Sequence, residues 1–151
     1  MRLWRITQPK YALDRLCAGA ALYGGRWNPI GHPALYCGAS VAITALEKLV
    51  HLGSGPRPSM VLVAIDMPDA GTIYEPGVDH LPSGWNTLPT SPAAQAFGGA
   101  WLLSKTSLAM RVPSVILPEE SNIVINPQHP AYPQVTLSVL RPFAFDMRLP
   151  L

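Results

Sequence analysis

Charge is the scarcest commodity in this chain. Asp, Glu, Lys and Arg make up 13% of its 151 residues, about half the share of roughly 25% found in ordinary globular domains. With 48% hydrophobic residues, such a composition excludes a disordered chain, which needs low hydrophobicity and high charge. The net charge is only +2, and the cations are scattered without a basic run. A nucleic-acid-binding face, which concentrates its cations, is therefore not expected. There are 2 cysteines, Cys17 and Cys37, without metal-ligand spacing or a disulfide framework. They are expected to be small buried hydrophobes in a reducing compartment. The 4 histidines (His32, His51, His80 and His129) are dispersed, so neither metal nor thiol chemistry is indicated. No apolar run reaches the roughly 18 residues of a membrane span, and Met1 to Ile6 are not followed by a signal-peptide core. A cytoplasmic protein is expected. Phosphate-binding Gly-rich loops, G-x-S-x-G and H-E-x-x-H are all missing.

Turn formers are abundant instead, with 17 prolines and 12 glycines spread along the chain. That distribution rules out a coiled coil and predicts many fixed turns. The length suits one domain, residues 1–151, burying roughly 68–70% of its unfolded surface. The expected class is α+β, with mixed β-sheets and a few helices. Leu3 to Ile6, Pro33 to Cys37, Ser59 to Met67, Leu108 to Val112, Asn122 to Asn126 and Val135 to Val139 are strand candidates, with Val61 to Ile65 suited to a buried central strand. Ser40 can cap a helix over residues 41–52 that stops at Gly53. Its apolar residues fill an arc of about 200°, which predicts a helix mostly inside the protein. Ser91-Pro92 opens a second helix towards Ser104, and Gly98-Gly99 within it predicts close packing against another backbone. Residues 68–90 read as a long surface excursion.

In so charge-poor a chain, polar groups within apolar segments become the candidate functional residues. Arg26, in Gly24-Gly25-Arg26-Trp27-Asn28-Pro29, is placed either to grip a phosphate together with free backbone N–H groups or to satisfy loop carbonyls. Tyr36, on a strand, is either a ring stacked on a planar ligand or a core ring with its hydroxyl at water. Glu47 borders the polar stripe of the 41–52 helix, where a carboxylate needs a partner; His51 or an arginine is expected. Ser121 reads as a turn serine, and His129 as a hydrogen-bonding residue of the Asn126-Pro127-Gln128-His129-Pro130 turn.

Taken in order, Leu3-Trp4-Arg5-Ile6, Gly24-Gly25-Arg26-Trp27-Asn28, Ala34-Leu35-Tyr36 and Ala45-Leu46-Glu47-Lys48-Leu49-Val50-His51-Leu52 resemble the RES domain family. Val112-Pro113-Ser114, Ile116-Leu117-Pro118 and Ser121 to Pro130 are similar to that family's C-terminal half. The resemblance places the Arg, Glu and Ser of the family's name on Arg26, Glu47 and Ser121, and its tyrosine on Tyr36. It implies an ADP-ribosyltransferase-like fold and the toxin of a type II toxin–antitoxin pair. The substrate implied is NAD⁺, with no bound cofactor, and the partner an Xre-type helix-turn-helix antitoxin that supplies the DNA binding; a homodimer is left open. Glu47 and Arg26 are the implied catalytic residues, and Arg5, Arg26, Tyr36 and Ser121 the substrate-binding ones. NAD⁺ breakdown by water or phosphate, ADP-ribosylation of a protein, and a binding-only antitoxin partner are the three functional readings.

Overall fold

A computed structural model describes residues 1–149. Ten regular elements alternate with short 3-10 turns: β1 (Arg2–Thr7), α1 (Ala18–Tyr23), β2 (Leu35–Gly38), α2 (Val41–Leu52), β3 (Met60–Asp66), β4 (Ile73–Tyr74), α3 (Pro92–Ser104), β5 (Ala109–Pro113), β6 (Ser121–Ile125) and β7 (Thr136–Phe143). The strands form one 7-stranded sheet in the order β4-β5-β6-β2-β1-β3-β7. All pairs are antiparallel except β4 with β5. The α+β expectation holds.

β3 is the apolar run Met60 to Ile65, and its Val63, Ala64 and Ile65 are fully buried between β1 and β7. One face of the sheet carries Leu3, Leu35, Cys37, Val63, Ile65, Ile123 and Ile125. It is covered by the segment through Ala12 and Cys17 and by Tyr132 and Val135. Both cysteines are buried and unbridged, as their small apolar character predicts. On the opposite face, α3 covers the β5–β6 end through Ala94, Trp101 and Leu102 against Met110, Val112 and Val124. α2 covers the β1–β3 end through Val41, Ala45, Leu49 and Leu52 against Trp4, Ile6 and Leu62.

At the middle of the sheet, β1 and β2 pair at a single position, Trp4 opposite Gly38. β1 continues with β3 through Thr7, and β2 continues with β6 from Leu35, so the two strands part company beyond that position. Gly38 is required there, because a Cβ on it would collide with the Thr44 side chain of α2.

Both helix caps form as the sequence specifies. The Ser40 hydroxyl accepts from the Ile43 N–H at 3.2 Å and the Ser91 hydroxyl from the Ala94 N–H at 3.0 Å, each satisfying an otherwise orphan donor. Gly53 ends α2 at φ +62°. The helix is less buried than its apolar arc suggests: only Ile43 and Thr44 are buried, and Val50 is 56% exposed. α2 packs against one face of the sheet, and most of its apolar arc is left half-buried, with Ala42 and Val50 exposed. The 68–90 excursion also departs from expectation, because it returns Leu81 and Trp85 to the core beside Trp27. Gly98 meets the backbone of Trp27, whose carbonyl a Cβ there would strike; the glycine pair does mark close backbone packing.

Candidate active site

The space between α2 and α3, over Tyr36 and Asn122, gathers most of the candidate residues. The loop from Gly24 to Pro29 is built around Asn28, which is fully buried. Its amide donates to the carbonyls of Ala20 at 2.9 Å and His32 at 2.8 Å, while its Oδ1 accepts from the Tyr36 hydroxyl at 2.5 Å. The same hydroxyl accepts from the Trp27 N–H at 3.0 Å. From α3, the Gln95 amide donates to the carbonyls of Gly25 and Asn28 at 3.2 Å each. Tyr36 thus spends its hydroxyl on the loop, not on water. Burial pushes its phenol well above the ordinary range, so it is a neutral hydrogen-bonding group.

This loop presents Arg26. One guanidinium nitrogen, Nη1, donates to the carbonyls of Trp85 and Thr87 at 2.9 Å each. The loop-carbonyl role therefore holds for one nitrogen, while Nε and Nη2 have no protein acceptor among the described residues. Burial pulls the Arg26 guanidinium down from its ordinary value, against the opposing influence of Glu47 and Tyr36. The Glu47 carboxylate is thus within electrostatic reach of Arg26, yet the two are not among the ion pairs of 4.0 Å or less in the described residues.

Glu47 is anchored from an unexpected direction. Its Oε1 accepts from the Ser114 hydroxyl and from the Asn122 amide, both at 2.7 Å, while His51 binds only the Glu47 backbone carbonyl, at 2.7 Å. Neither His51 nor an arginine pairs with the carboxylate. Among the described residues no donor reaches Oε2. The carboxylate is held in place by one oxygen and open at the other. Ser114 is itself fully buried, and its oxygen accepts from the N–H groups of Ile116 at 3.1 Å and Leu117 at 3.2 Å.

Ser121 begins β6 opposite Pro113, half-buried, with no side-chain hydrogen bond among the described residues; the serine that touches Glu47 is Ser114. Arg5 lies on β1 with one nitrogen 3.4 Å from the Tyr11 carbonyl, apart from the Arg26 loop. His129 accepts from the Ala131 N–H at 3.0 Å within its turn, as expected. Sequence reasoning passed over Ser114, Asn122, Asn28 and Gln95. A serine lodged between apolar residues in Val112-Pro113-Ser114-Val115-Ile116 was the available signal for the first; the others become visible only when three segments meet. Two concavities, of about 540 and 300 Å³, are lined by other residues, one beside Phe143 and Phe145 and one between α3 and β4 at Tyr74, Phe97 and Trp101. No group of three or more His, Cys, Asp or Glu residues able to hold a metal ion occurs among the described residues. No helix among them is long and apolar enough to cross a membrane.

The family model described as the RES domain matches residues 2–147. The chain belongs to the RES domain family. A relative of this RES chain from Sphingobium sp. (strain YBL2), described as a Prs ADP-ribosylating toxin, is 38% identical over 154 residues, covering 97% of this chain and 94% of the relative. Another, described as Toxin Res, from Yersinia enterocolitica serotype O:8, is 37% identical over 153 residues and covers 99% of both chains. Among solved structures, the RES chain shares its fold with a chain of the M. tuberculosis MbcT-MbcA toxin-antitoxin complex. The TM-score is 0.69 at 22% identity, over 94% of this chain and 82% of that chain.

Proposed function

We propose that this RES domain is the toxin of a type II toxin–antitoxin pair and cleaves the nicotinamide–ribose bond of NAD⁺, with water or phosphate as acceptor. The observation that carries the reading is the Glu47 carboxylate, fixed through Oε1 by Ser114 and Asn122 with Oε2 uncommitted and Arg26 nearby. Nicotinamide in NAD⁺ is cationic and departs without protonation: the C–N bond breaks with its electron pair passing to the ring nitrogen. Positive charge then develops on the ribose, as in other oxocarbenium-like reactions. A carboxylate already oriented beside that carbon stabilises the charge without reorganising during the reaction. An acceptor oxygen closes the new bond at the ribose carbon and releases its proton to the carboxylate or to solvent. Arg26, through Nε and Nη2, holds a phosphate or ribose oxygen. Tyr36 walls the nicotinamide end with its ring while its hydroxyl keeps the Arg26 loop in place.

The description of the Sphingobium relative as ADP-ribosylating favours a second reading, transfer of ADP-ribose to a protein from the same cleft. The reading also assigns this chain an Xre-type helix-turn-helix antitoxin, in keeping with the complex in which the structural neighbour was solved and with a net charge of only +2. NAD⁺ loss followed by mass spectrometry, on antitoxin-free protein with and without phosphate, tests both readings. Free ADP-ribose indicates hydrolysis, its phosphate-dependent counterpart phosphorolysis, and a mass gain on a protein transfer. NAD⁺ left intact by folded protein, with and without candidate acceptors, sinks the proposal and leaves a binding role.

A further inference from the structure

Arg26 is set in a tight turn. Gly25 and Asn28 pair as an isolated antiparallel bridge, with the Gly25 N–H donating to the Asn28 carbonyl at 3.0 Å. Arg26 and Trp27 occupy the two corners between them. The chain enters through Gly24 at φ +73° and ψ 171°, a backbone state essentially confined to glycine. A Cβ on Gly25 would lie 2.7 Å from both Asn28 Oδ1 and the Tyr36 hydroxyl. These restraints all come from the turn itself and from β2, which follows it closely in the chain.

A second set comes from the first turn of α3. Gln95 spends both amide hydrogens on the carbonyls of Gly25 and Asn28, the residues that close the turn, at 3.2 Å each and 70 and 67 residues away in the chain. Both partners are acceptors, so the amide has one workable orientation. One helical turn earlier, the Ser91 hydroxyl accepts from the Ala94 N–H and donates to the Gly84 carbonyl at 2.6 Å. The same carbonyl accepts from the Thr87 N–H at 3.1 Å. That folds residues 84–87 so that the carbonyls of Trp85 and Thr87 both meet Arg26 Nη1. α3 therefore restrains Arg26 at both ends, its backbone through Gln95 and its guanidinium through Ser91. The two hydrogens of Nη1 are used up by two carbonyls, which leaves Nε and Nη2, the edge that can grip an oxyanion with two parallel bonds.

We propose that Gln95 and Ser91 are positioning residues for Arg26, which aim its Nε–Nη2 edge at the oxygen it holds. The identity of that oxygen rests on the proposed NAD⁺ reading; the aiming rests on the contacts of α3 alone. An arginine side chain is long and rotamer-rich, and a fork that is already oriented loses less freedom when its ligand arrives. Gln95 makes no hydrogen bond to Glu47, Ser114 or Asn122 among the described residues, so its effect reaches the site through Arg26.

Gln95→Met and Gln95→Glu keep the length of the side chain and remove its N–H pair. Ser91→Asp keeps the acceptor that caps α3 but has no hydrogen for the Gly84 carbonyl. Heteronuclear NMR of the full chain follows the Arg26 Nε–H signal, assigned by its loss in Arg26→Lys. All three variants shift or broaden it. In NAD⁺ turnover they lower kcat/KM by about tenfold or more, the scale of a misplaced binding group, with KM carrying most of the change. Against an Arg26→Ala background Gln95→Met adds no further loss, whereas general loosening of the fold would add its full loss again. Circular dichroism confirms folding, and Gln95→Glu serves should Gln95→Met not fold. An Arg26 signal unmoved in the folded variants, or equal losses with and without Arg26, overturns the positioning role. A moved signal in a protein that neither binds nor consumes NAD⁺ upholds that role and removes the NAD⁺ reading instead.

Discussion

Glu47 shows how a single carboxylate acquires a direction. Two donors converge on one oxygen, and the other has no donor among the described residues. Glu47→Gln keeps the size and one acceptor while removing the charge. The variant is expected to fold and to lose NAD⁺ turnover by about 100-fold or more, the scale of one preorganised electrostatic group; progress curves on folded protein decide it. Ser114→Ala has a different signature. It removes a donor to Glu47 and orphans the Ile116 and Leu117 N–H groups, so turnover falls together with about 1–3 kcal/mol of stability. Ser121→Ala, which breaks no hydrogen bond among the described residues, stays within about 0.5 kcal/mol of wild type. Thermal melts of the two serine variants side by side separate them. Glu47 stood out in the sequence as a carboxylate bordering the polar stripe of an apolar helix, but its partners did not. Ser114 and Asn122 lie 67 and 75 residues away from it, and no local periodicity carries information over that distance.

Among the elements, the helices were the most legible and the connections the least. Ser40, Gly53 and the Ser91-Pro92 pair define helix ends through local hydrogen bonds and backbone angles, which a short window of sequence contains. The depth to which α2 sinks depends on what covers it, and this is not local. The return of Leu81 and Trp85 to the core was hidden for the same reason, since turn residues reveal where a chain bends but not what it meets. α3 gives the sharpest test. In an open helix Gly98→Ala gains up to about 1 kcal/mol from propensity. Here its Cβ would strike the Trp27 carbonyl, and overpacking of this kind costs typically about 1–3 kcal/mol. A lower Tm and weaker NAD⁺ binding are expected together, because the displaced backbone belongs to the loop that carries Arg26. A raised Tm would show that the loop yields freely.

For the whole molecule, the scarcity of charge means that alkaline pH acts through a few buried acids. Burial is the main cause that raises the Tyr36 phenol, the Cys37 thiol and the Tyr132 phenol above their ordinary values, which lie near 9 for the thiol and 10 for the phenols. A group whose folded pKa is raised contributes stability that is complete below its unfolded pKa and is lost as pH rises towards the folded one. Stability is therefore expected to fall progressively from about pH 9 upward, and melts between pH 8 and 11 measure it. In Tyr36→Phe the decline should be shallower, although the variant starts lower through loss of the bonds to Trp27 and Asn28.

The lone pairing of Trp4 with Gly38 has a mechanical meaning. Four strands stand on one side of it and three on the other, so the sheet is two stiff plates joined by a narrow hinge, with α2 as the strap across them. Breathing of the plates costs few backbone hydrogen bonds, because a single residue pair joins them. Amide exchange near Trp4 and Gly38 should accordingly outpace exchange along β3, which is paired on both sides.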